Sequence, residues 1–422
     1  MGAAESAENA MQIWVIWVGD EILRGHTLNT NLAFIGDTLA REGYSITREC
    51  TIPDEENIIA ATLTESLNSA DLVITTGGLG PTTDDITRTV AAGVLERPLQ
   101  FDPDILAGIN AFLRSRNVSV PADALRRQAM VPTGTDTLTN ANGTAPGLWC
   151  QLDKRALLML PGPPRELEPM FRTHALPRIR QAWPAHLATR TCEVCGLAES
   201  VVAERVEPVL EAFPEVRPAY CARPGQLTLT LTAHTSQREE LERAFAEVHP
   251  PLGTHVLPAD CKTVGAAVGK LLMARSWNLA TAESCTGGAI AKAITDVPGA
   301  SAFFCGSFVT YANAWKEACL GVRPKTLAAH GAVSRETAEE MLDGLLARDG
   351  VDAGIVVTGI AGPTGGTPDK PVGLVFVGTG FRTVRRVERC VFPGNRESVR
   401  LRTVAVALNQ LRQSLLAVGD EA

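Results

Sequence analysis

Short apolar runs alternate with amphipathic stretches in the first part of the chain. Residues 13–18 and 72–76 are continuous apolar runs of the kind that forms buried strands, and residues 29–42 and 86–95 have the periodicity of helices. Buried strands that alternate with helices form mostly parallel sheets with helices on both faces. The pattern therefore predicts an α/β domain over residues 11–175, whose ligands would bind at the carboxyl ends of the strands.

The pattern changes between residues 176 and 258. Here a strand at 191–195, a helix at 199–213, an alternating strand at 226–233 and a helix at 238–249 predict a small α+β domain with a βαββα-like order. Its two cysteines, Cys192 and Cys195, have the spacing of a redox or zinc pair. However, residues three apart on a strand face opposite ways and no second pair exists, so both are expected to be structural.

A second series of strands, glycine loops and helices occupies residues 259–418. The predicted elements are strands at 279–281, 303–311 and 353–357 and helices at 289–294, 315–320 and 334–348. They predict a C-terminal α/β domain. Residues 1–10, which are small and polar, are expected to form a flexible tail.

The amino-acid composition limits the cellular compartments in which the protein is expected. Hydrophobic residues make up 45% of the 422 residues, and no apolar run approaches the ~20 residues that span a membrane. The first ten residues contain no hydrophobic signal region, so a soluble, cytoplasmic protein that does not contact membranes is expected. The 10 cysteines lack paired spacing, which suits a reducing compartment.

The charge distribution disfavours nucleic acid as a partner. The formal net charge is −8. The arginine-rich stretch 382–386 alternates with apolar residues as a solvated edge strand does. No electrostatic footprint for nucleic acid is therefore expected.

Candidate binding residues follow the predicted strands of the first domain. Gly77, Gly78 and Gly80 lie within four positions after the second apolar run, and the backbone N–H groups of such a loop can approach a phosphate. Asp84 and Asp85 come next, and Asp54 follows another predicted strand. Their carboxylates either cap helices or act as the hard oxygen ligands of a Mg²⁺ ion that bridges a pyrophosphate.

Five motifs of this domain are long enough to compare with a known family. They are Gly19-Asp20-Glu21-Ile22-Leu23-Arg24-Gly25, Pro53-Asp54, Gly77-Gly78-Leu79-Gly80-Pro81 with Asp84-Asp85-Ile86-Thr87, Asn142-Gly143-Thr144-Ala145-Pro146-Gly147, and Leu160-Pro161-Gly162-Pro163-Pro164. They resemble the MoaB/MogA-like molybdopterin-binding domain of the CinA family. Pterin-pathway relatives bind and adenylylate molybdopterin with acidic residues that match Asp54 and Asp85.

In full-length CinA proteins, the resemblance implies instead a metal-dependent ADP-ribose pyrophosphatase. A divalent metal, Mg²⁺ or another, is then the implied cofactor of this domain, with Asp84 and Asp85 as ligands. Asp20 stands where most family members have Thr. It would add a third carboxylate to the metal site.

The stretch Thr281-Ala282-Glu283-Ser284-Cys285-Thr286-Gly287-Gly288 connects a predicted strand to a predicted helix. At such a place the unpaired N–H groups of the helix N-terminus favour an anion or an oxyanion, while Gly287 and Gly288 leave room for a ligand. Ser284 is the candidate nucleophile and Thr286 a candidate substrate contact, although either could instead cap the helix. Cys285 is the alternative nucleophile if its pKa is lowered.

Ser284 needs a base in order to act as a nucleophile. The only histidine of the C-terminal domain is His330, which disfavours a Ser-His-Asp triad. A desolvated lysine or an activated tyrosine could take the serine proton instead, so Lys316, Lys292 and Tyr311 are candidates.

A second glycine loop follows the apolar run at 353–357. Thr358, Gly359 and Gly362 lie at its start, and four glycines occur within eight positions. Such a loop exposes backbone N–H groups to anions, and this one could face Ser284 across the end of the sheet. These three residues are therefore candidate substrate contacts.

Five further motifs belong to the C-terminal domain. They are Ala282-Glu283-Ser284-Cys285-Thr286-Gly287-Gly288, Thr310-Tyr311-Ala312-Asn313-Ala314-Trp315-Lys316, Gly331-Ala332-Val333-Ser334, Thr358-Gly359-Ile360-Ala361-Gly362-Pro363 and Phe392-Pro393-Gly394-Asn395-Arg396. They resemble the CinA C-terminal domain, a PncC-type nicotinamide mononucleotide amidohydrolase that needs no cofactor. The resemblance implies Ser284 as nucleophile, catalytic roles for Tyr311 and Lys316, and a substrate-binding Arg396 or Arg400. Trp315 stands where a Glu is expected.

The resemblance covers nearly the whole chain and implies a bifunctional enzyme of pyridine-nucleotide salvage. The C-terminal domain would hydrolyse nicotinamide mononucleotide to nicotinic acid mononucleotide and ammonia, and the N-terminal domain would split ADP-ribose into AMP and ribose 5-phosphate. The middle domain, KH-like in this family, would be a spacer rather than an RNA binder, and a homodimer is expected. Two alternatives stay open: a molybdopterin-binding or adenylylating protein, and a non-enzymatic partner in competence or DNA repair.

Overall fold

The computed structural model describes residues 11–418, so the tail expected at residues 1–10 lies outside the described part of the chain. The described residues form two compact units. The first contains the chain up to Thr189 together with Thr232–Arg238, and the second contains Arg190–Leu231 and the chain from Glu239 onward. None of the helices within residues 11–418 combines the length and the apolar character that a bilayer crossing requires.

The first unit begins with β1 (Ile13–Val18), α1 (Asp20–Leu23) and α2 (Thr30–Arg41). The elements that follow are β2 (Ile46–Ile52), α3 (Glu56–Ser69), β3 (Leu72–Thr76), α4 (Thr87–Val94), β4 (Leu99–Phe101), α5 (Pro103–Ser115), α6 (Ala122–Gln128), β5 (Met130–Pro132), β6 (Asp136–Leu138), β7 (Gly147–Leu152), β8 (Arg155–Leu160), α7 (Pro164–Met170) and α8 (Leu176–Ala182), with a π-helical turn at Phe171–Ala175 between the last two. The strands and helices predicted from periodicity in this region are therefore present.

The sheet of the first unit has the strand order β2-β1-β3-β8-β7-β6. β1 pairs in parallel with β2 and β3, and β3 pairs in parallel with β8, whereas β7 runs antiparallel to β8. Alternate residues of β1 enter two different cores: Ile13, Val15 and Trp17 pack in one, and Ile16 and Val18 pack in the other. Both faces of the sheet are covered, as the continuous apolar character of its strands predicts.

The α+β order predicted for the middle of the chain is confirmed. This part consists of β9 (Leu187–Cys195), α9 (Glu199–Leu210), β10 (Arg217–Arg223), β11 (Gln226–His234), α10 (Arg238–Glu247) and α11 (His249–Leu252), with the strand order β10-β11-β9. Cys192 and Cys195 are both buried, and burial raises the pKa of the Cys192 thiol to about 12. Such a thiol is inert at neutral pH, which agrees with a structural role.

The C-terminal part of the second unit is a further α/β arrangement. Its elements are α12 (Val264–Ala274), β12 (Leu279–Glu283), α13 (Ala289–Thr295), β13 (Phe304–Val309), α14 (Asn313–Leu320), α15 (Pro324–His330), α16 (Arg335–Leu346), β14 (Ala353–Gly359), β15 (Leu374–Phe381), β16 (Val384–Val391) and α17 (Arg396–Ala417). The strand order is β13-β12-β14-β15-β16, with β12 parallel to both β13 and β14 and with β15 and β16 added antiparallel. β16 is the edge strand predicted around residues 382–386.

The long helix α17 carries a buried arginine near its end. Arg412 is 2% exposed, and its Nη2 donates to the carbonyl of Thr254 and lies 3.0 Å from Cys195 Sγ. Cys195 Sγ also lies 3.2 Å from Asn409 Oδ1. Because a buried guanidinium must find its acceptors within the protein, these contacts tie α17 to the α+β segment of the second unit.

Candidate functional site

Two neighbouring strands of the second unit deliver their loops to the same edge of the sheet. β12 and β14 are parallel and adjacent, with Glu283 opposite Val357. Directly after β12, the N–H of Ser284 donates to the carbonyl of Val357 over 3.1 Å. The serine and the start of the loop at Thr358 therefore lie side by side, as the sequence predicts.

A buried lysine contacts the candidate nucleophile. Nζ of Lys316 donates to Ser284 Oγ over 3.2 Å, to the carbonyl of Thr310 over 2.7 Å and to the carbonyl of Tyr311 over 3.3 Å. Lys316 is 1% exposed and Ser284 is 8% exposed. Burial lowers the pKa of Lys316 below its ordinary value, because the charged ammonium is poorly solvated there. A lysine in this state can accept the serine proton.

Cys285 is poorly suited to compete with Ser284 as a nucleophile. Its thiol is buried in the core beneath the site, and burial raises its pKa to about 11. The thiolate is the reactive form of cysteine, and at neutral pH a group with that pKa is almost entirely protonated. The geometry therefore favours the serine.

The buried acid Glu283 corrects one expectation about the helix that follows. Its carboxylate accepts hydrogen bonds from the N–H groups of Gly288, Ile290 and Ala291 over 3.0, 3.1 and 2.8 Å. A fully buried carboxylate needs such donors. The N–H groups at the start of α13 are thus occupied, and Ser284 precedes this helix by five positions. The prediction that these groups are free to bind an oxyanion was wrong.

Two glycines and a threonine shape the turn after Ser284. Gly287 and Gly288 have φ angles of 60° and 92°, the left-handed region in which a side chain is strained. The N–H of Gly287 donates to the carbonyl of Ser284 over 3.1 Å, which closes the turn. Thr286 is fully buried, and its carbonyl accepts from Arg400 Nη2 over 2.6 Å. Arg400 therefore holds the turn that carries the candidate nucleophile.

The second candidate arginine, Arg396, contacts other residues of the site. Arg396 Nη1 donates to the carbonyl of Gly362 over 2.9 Å, and Arg396 Nη2 donates to the Tyr311 hydroxyl over 3.0 Å. Tyr311 is 59% exposed, so this pair faces solvent. Arg396 and Arg400 lie one turn apart on α17. The structure brings both to the Ser284 site rather than selecting one.

Three of the sequence candidates do not touch the nucleophile. Lys292 lies on the exposed side of α13, where its Nζ contacts Asp296 Oδ2 over 2.6 Å, so the prediction that it could serve as the base was wrong. His330 Nδ1 lies 3.7 Å from Glu336, away from Ser284. Thr358 is buried and donates to the carbonyl of Ala332 over 2.6 Å. Substrate contact by Thr358 stays a prediction.

Close packing explains the glycine at the end of β14. A Cβ on Gly359 would lie 2.8 Å from the carbonyl oxygen of Leu374 and 2.7 Å from a methyl of Val375. A side chain at this position would therefore push β14 and β15 apart. The role of Gly359 that these contacts support is structural, and a contact with substrate stays a prediction.

The first unit contains a cavity of about 480 Å³ at the carboxyl ends of β1, β3 and β8. Gly77, Gly78, Gly80, Asp54, Asp84 and Asp85 are among the residues that line it. Gly77 and Gly78 have φ angles of 98° and 65°, and a Cβ on Gly77 would lie 2.2 Å from the carbonyl of Val18. The glycine loop thus passes close to β1, and its binding of a phosphate stays a prediction.

The acidic residues of this cavity are not equivalent. Burial raises the pKa of Asp54, although the Asp20 N–H that donates to it opposes the rise, and the carboxylates of Glu21, Asp20 and Asp84 raise it further. The Asp20 side chain itself turns to Arg24 at an exposed position. Asp20 is not among the residues that line the cavity, and its role as a metal ligand stays a prediction.

Asp85 and Asp84 play different local roles. The carboxylate of Asp85 accepts from the N–H of Thr82 over 2.8 Å and from the Thr82 hydroxyl, and it packs against Gly80. Asp84 is exposed, and hydrogen bonding to Thr82 lowers its pKa. Asp85 thus braces the loop, while Asp84 remains available to a ligand.

The donor set fits a divalent metal only in part. Within residues 11–418, no group of three or more His, Cys, Asp or Glu side chains could hold a metal by itself. Asp54 and Asp84 nevertheless line one cavity, and their mutual repulsion would be relieved by a cation. Because Mg²⁺ commonly takes one or two carboxylates and completes its shell with substrate phosphates and water, these residues fit a metal that is held jointly with a ligand.

Several residues in and around the cavity of the first unit have no sequence signal that marks them. Asn31, Gln128 and Glu166 line the cavity of the first unit from helices or helix ends. Arg88 is buried and donates to the carbonyl of Leu79, which supports the glycine loop. Burial lowers the pKa of Arg88 to about 10. These side chains are polar residues on helices, which usually face solvent, so only the packing identifies them.

Comparison with known proteins extends these observations. The family model for the CinA C-terminal domain matches residues 262–415, and the model described as "Probable molybdopterin binding domain" matches residues 14–181. A competence-damage inducible protein of Symbiobacterium thermophilum is 40% identical over 423 residues, covering 96% of this chain and 99% of that protein. A protein of the same name from Moorella thermoacetica is 39% identical over 414 residues, with 96% and 99% covered.

Solved structures match smaller parts of the chain. A CinA superfamily protein from Klebsiella pneumoniae is 38% identical and covers 36% of this chain and 96% of its own, with a TM-score of 0.36. The assignment rests instead on the full-length relatives and on the two family models. Since relatives of 39% and 40% identity span 96% of its length, the chain belongs to the CinA family and carries a molybdopterin-binding-like domain and a CinA C-terminal domain.

Proposed function

We propose that the CinA C-terminal domain is a nicotinamide mononucleotide amidohydrolase with Ser284 as nucleophile and Lys316 as base. The contact between Lys316 Nζ and Ser284 Oγ, 3.2 Å long and buried, carries the proposal. Ser-Lys pairs perform acyl-transfer chemistry in unrelated proteins, because a desolvated amine can take the proton of the serine. Ammonia release from nicotinamide mononucleotide by the purified protein is the direct test.

In the proposed reaction, the neutral amine of Lys316 takes the Ser284 proton while Oγ attacks the carboxamide carbon. The C–N bond of the tetrahedral intermediate then breaks, and the ammonium of Lys316 returns a proton to the departing nitrogen, which leaves as ammonia. Water, activated by the same amine, hydrolyses the acyl-serine ester and releases nicotinic acid mononucleotide. The lowered pKa of Lys316 supports this cycle, because the amine must be neutral before each attack.

The two arginines of α17 would have different roles in the site. Arg396 reaches the solvent-facing side of the site with Tyr311, where a phosphate could approach and a planar guanidinium could grip it. Arg400 instead contacts the Thr286 carbonyl in the turn that positions Ser284. We therefore assign phosphate recognition to Arg396 and positioning of the nucleophile to Arg400.

This division predicts different substrate dependences for the two arginines. Arg396→Ala is expected to lower kcat/KM for nicotinamide mononucleotide by roughly tenfold to a hundredfold, the value of a charge-assisted hydrogen bond, and to change kcat/KM for free nicotinamide little. Arg400→Ala is expected to lower kcat/KM for both substrates. Steady-state ammonia release measures each value, and Arg402→Ala, an exposed position on the same helix, is the control. Equal losses on both substrates for Arg396→Ala would contradict the assignment.

For the molybdopterin-binding-like domain, we propose hydrolysis of ADP-ribose to AMP and ribose 5-phosphate. The shared cavity of the glycine loop, Asp54 and Asp84 supports this proposal. Asp54 and Asp84 would hold a divalent metal together with the pyrophosphate, while the loop N–H groups bind its oxygens. A bound metal of this kind stabilises negative charge on the phosphoryl oxygens.

Removing the half-buried carboxylate of Asp54 should separate the two activities. Asp54→Asn is expected to reduce ADP-ribose hydrolysis by about a hundredfold or more, because a hard anionic ligand is lost, and to spare ammonia release from nicotinamide mononucleotide. Product analysis with and without a chelator measures both effects, and Asp37→Asn, at an exposed ion pair with Arg41, is the matched control. Undiminished ADP-ribose hydrolysis in excess chelator would rule out the metal.

Two other functions are supported by the comparisons rather than by the geometry. The matched domain description makes pterin binding or adenylylation a candidate for the first unit. The names of the relatives make a role in competence or damage response a second candidate. Tight molybdopterin binding without ADP-ribose hydrolysis would favour the first, and absence of both hydrolytic activities would favour the second.

A further inference from the structure

Two buried amide side chains line the cavity of the first unit with oxygen atoms that have no protein partner. Asn31 is 8% exposed and Gln128 is 0% exposed, and both line the cavity. Asn31 Oδ1 and Gln128 Oε1 are buried without a hydrogen-bond partner among the described residues. Leaving such an acceptor unpaired is costly, and most buried polar atoms in folded proteins are paired. These oxygens therefore point to a ligand that donates hydrogen bonds.

The contact of its amide nitrogen fixes this arrangement for Asn31. Asn31 Nδ2 donates to the carbonyl of Gly162 over 2.7 Å, and because a carbonyl can only accept, Oδ1 must be the free atom. Gln128 Nε2 contacts Thr144 Oγ1 over 3.1 Å. The amide nitrogens are thus engaged by the protein, while the oxygens remain for a ligand.

A third acceptor lies at the same end of the cavity. The Glu166 side chain is buried and lines the cavity, and its Oε2 accepts from Asn140 Nδ2 over 2.8 Å. The cavity lining also includes Ala145, Pro161 and Pro163, whose side chains are apolar. Acceptors set in an apolar wall suit the edge of a planar heterocycle better than a sugar, whose hydroxyls surround its ring.

This end of the cavity is distant from Asp54. Asp54 follows β2 and Gly162 follows β8, and these strands are separated by β1 and β3 in the sheet. Three strand spacings of about 4.8 Å place the carboxyl ends of β2 and β8 roughly 14 Å apart. A ligand that contacts both ends must be long, with one part near Asp54 and a donor-bearing part near Asn31 and Gln128, beside the Gly77 end of the glycine loop.

We propose that Asn31, Gln128 and Glu166 select a heterocycle that carries an exocyclic amine. This inference rests on the proposed hydrolysis of ADP-ribose and deepens it: the adenine amine would donate to the amide oxygens while the pyrophosphate lies toward Asp54 and Asp84. An oxo group at the same ring position presents a lone pair to those oxygens and repels them. A pterin carries an exocyclic amine too, so the same chemistry could serve either compound.

Calorimetric titration of the full-length protein with AMP and IMP tests the selection without any catalytic step. The two nucleotides differ in the 6-amino and 6-oxo groups, and AMP is expected to bind roughly tenfold to a hundredfold more tightly. Gln128→Met keeps the side-chain length, removes the acceptor and should bring the two affinities together. Gln100→Met, at an exposed position on β4, is the matched control and should keep the wild-type preference.

The outcomes separate this inference from the function on which it rests. Equal binding of AMP and IMP by the wild-type protein would overturn the amine selection, whether or not ADP-ribose is cleaved. Preference for AMP without cleavage of ADP-ribose would support the selection and refute the hydrolase. Neopterin binding that exceeds AMP binding and weakens in Gln128→Met would assign the amine to a pterin. A preference for AMP that survives in Gln128→Met would remove Gln128 from the proposal.

Discussion

Ser284→Ala is expected to lower ammonia release from nicotinamide mononucleotide by a factor of at least roughly 10³, because the covalent route is lost together with its nucleophile. The folded structure should persist, since the change removes one oxygen atom at a site that is only 8% exposed. Ammonia release under saturating substrate measures turnover, and circular dichroism with a thermal melt measures folding.

The neighbouring cysteine provides the control for this variant. Cys285→Ala should retain turnover near the wild-type value, because the pKa of about 11 leaves its thiol protonated. Both variants remove one side-chain heteroatom from adjacent positions of the same turn. Wild-type turnover by Ser284→Ala with an inactive Cys285→Ala would transfer the nucleophilic role to the thiol.

Lys316→Met is expected to cause a loss of turnover on the order of that in Ser284→Ala, because residues that act as a unit lose similar activity when either is removed. Methionine fills a similar volume without the amine. Lys325→Met, at an exposed position on α15, is the matched control and should leave turnover unchanged. Full activity in Lys316→Met would eliminate the lysine as base.

The lowered pKa of Lys316 also sets the sign of two pH effects. Turnover of the wild-type protein should rise with pH as the amine loses its proton, in the range below its ordinary value of 10.5. In the same range the unfolded chain binds the proton that the folded chain releases, so this group favours folding more as pH rises. Lys316→Met should therefore raise the free energy of unfolding at neutral pH, and this gain should shrink toward alkaline pH. Urea titrations of both proteins at several pH values measure this difference in the free energy of unfolding.

Sequence patterns predicted the elements whose apolar positions are regular. The continuous apolar runs of β1, β3 and β14 identified buried strands, because both faces of those sheets are covered. No helix was predicted over α17, because Gln410 and Arg412 interrupt the apolar face of this helix in the sequence. Both residues are nevertheless buried. The Gln410 amide nitrogen and the Arg412 guanidinium donate to residues far away in the chain, Arg386 and Thr254, which no local pattern reveals.

The roles of residues in the candidate site also depend on packing that no local sequence pattern reveals. Ser284 could be identified from its motif, but the choice between Lys292 and Lys316 could not be made from composition, since both follow a predicted strand within a few turns. Burial decides it: Lys316 is 1% exposed and reaches Ser284, whereas Lys292 pairs with Asp296 on the surface. The sequence analysis assigned no role to Glu283, and only the fold shows that its carboxylate accepts from the N–H groups at the start of α13.

The buried Arg412 has a practical consequence for dissecting the protein. A fragment cut at the predicted boundary near residue 259 would keep α17, with Arg396 and Arg400 at its start, but would lose Thr254 and Cys195. The guanidinium would then be left without acceptors at the end of the same helix, or would open that end to water. Any excised catalytic piece is therefore better begun upstream of β9, so that the helix bearing both arginines keeps its anchor.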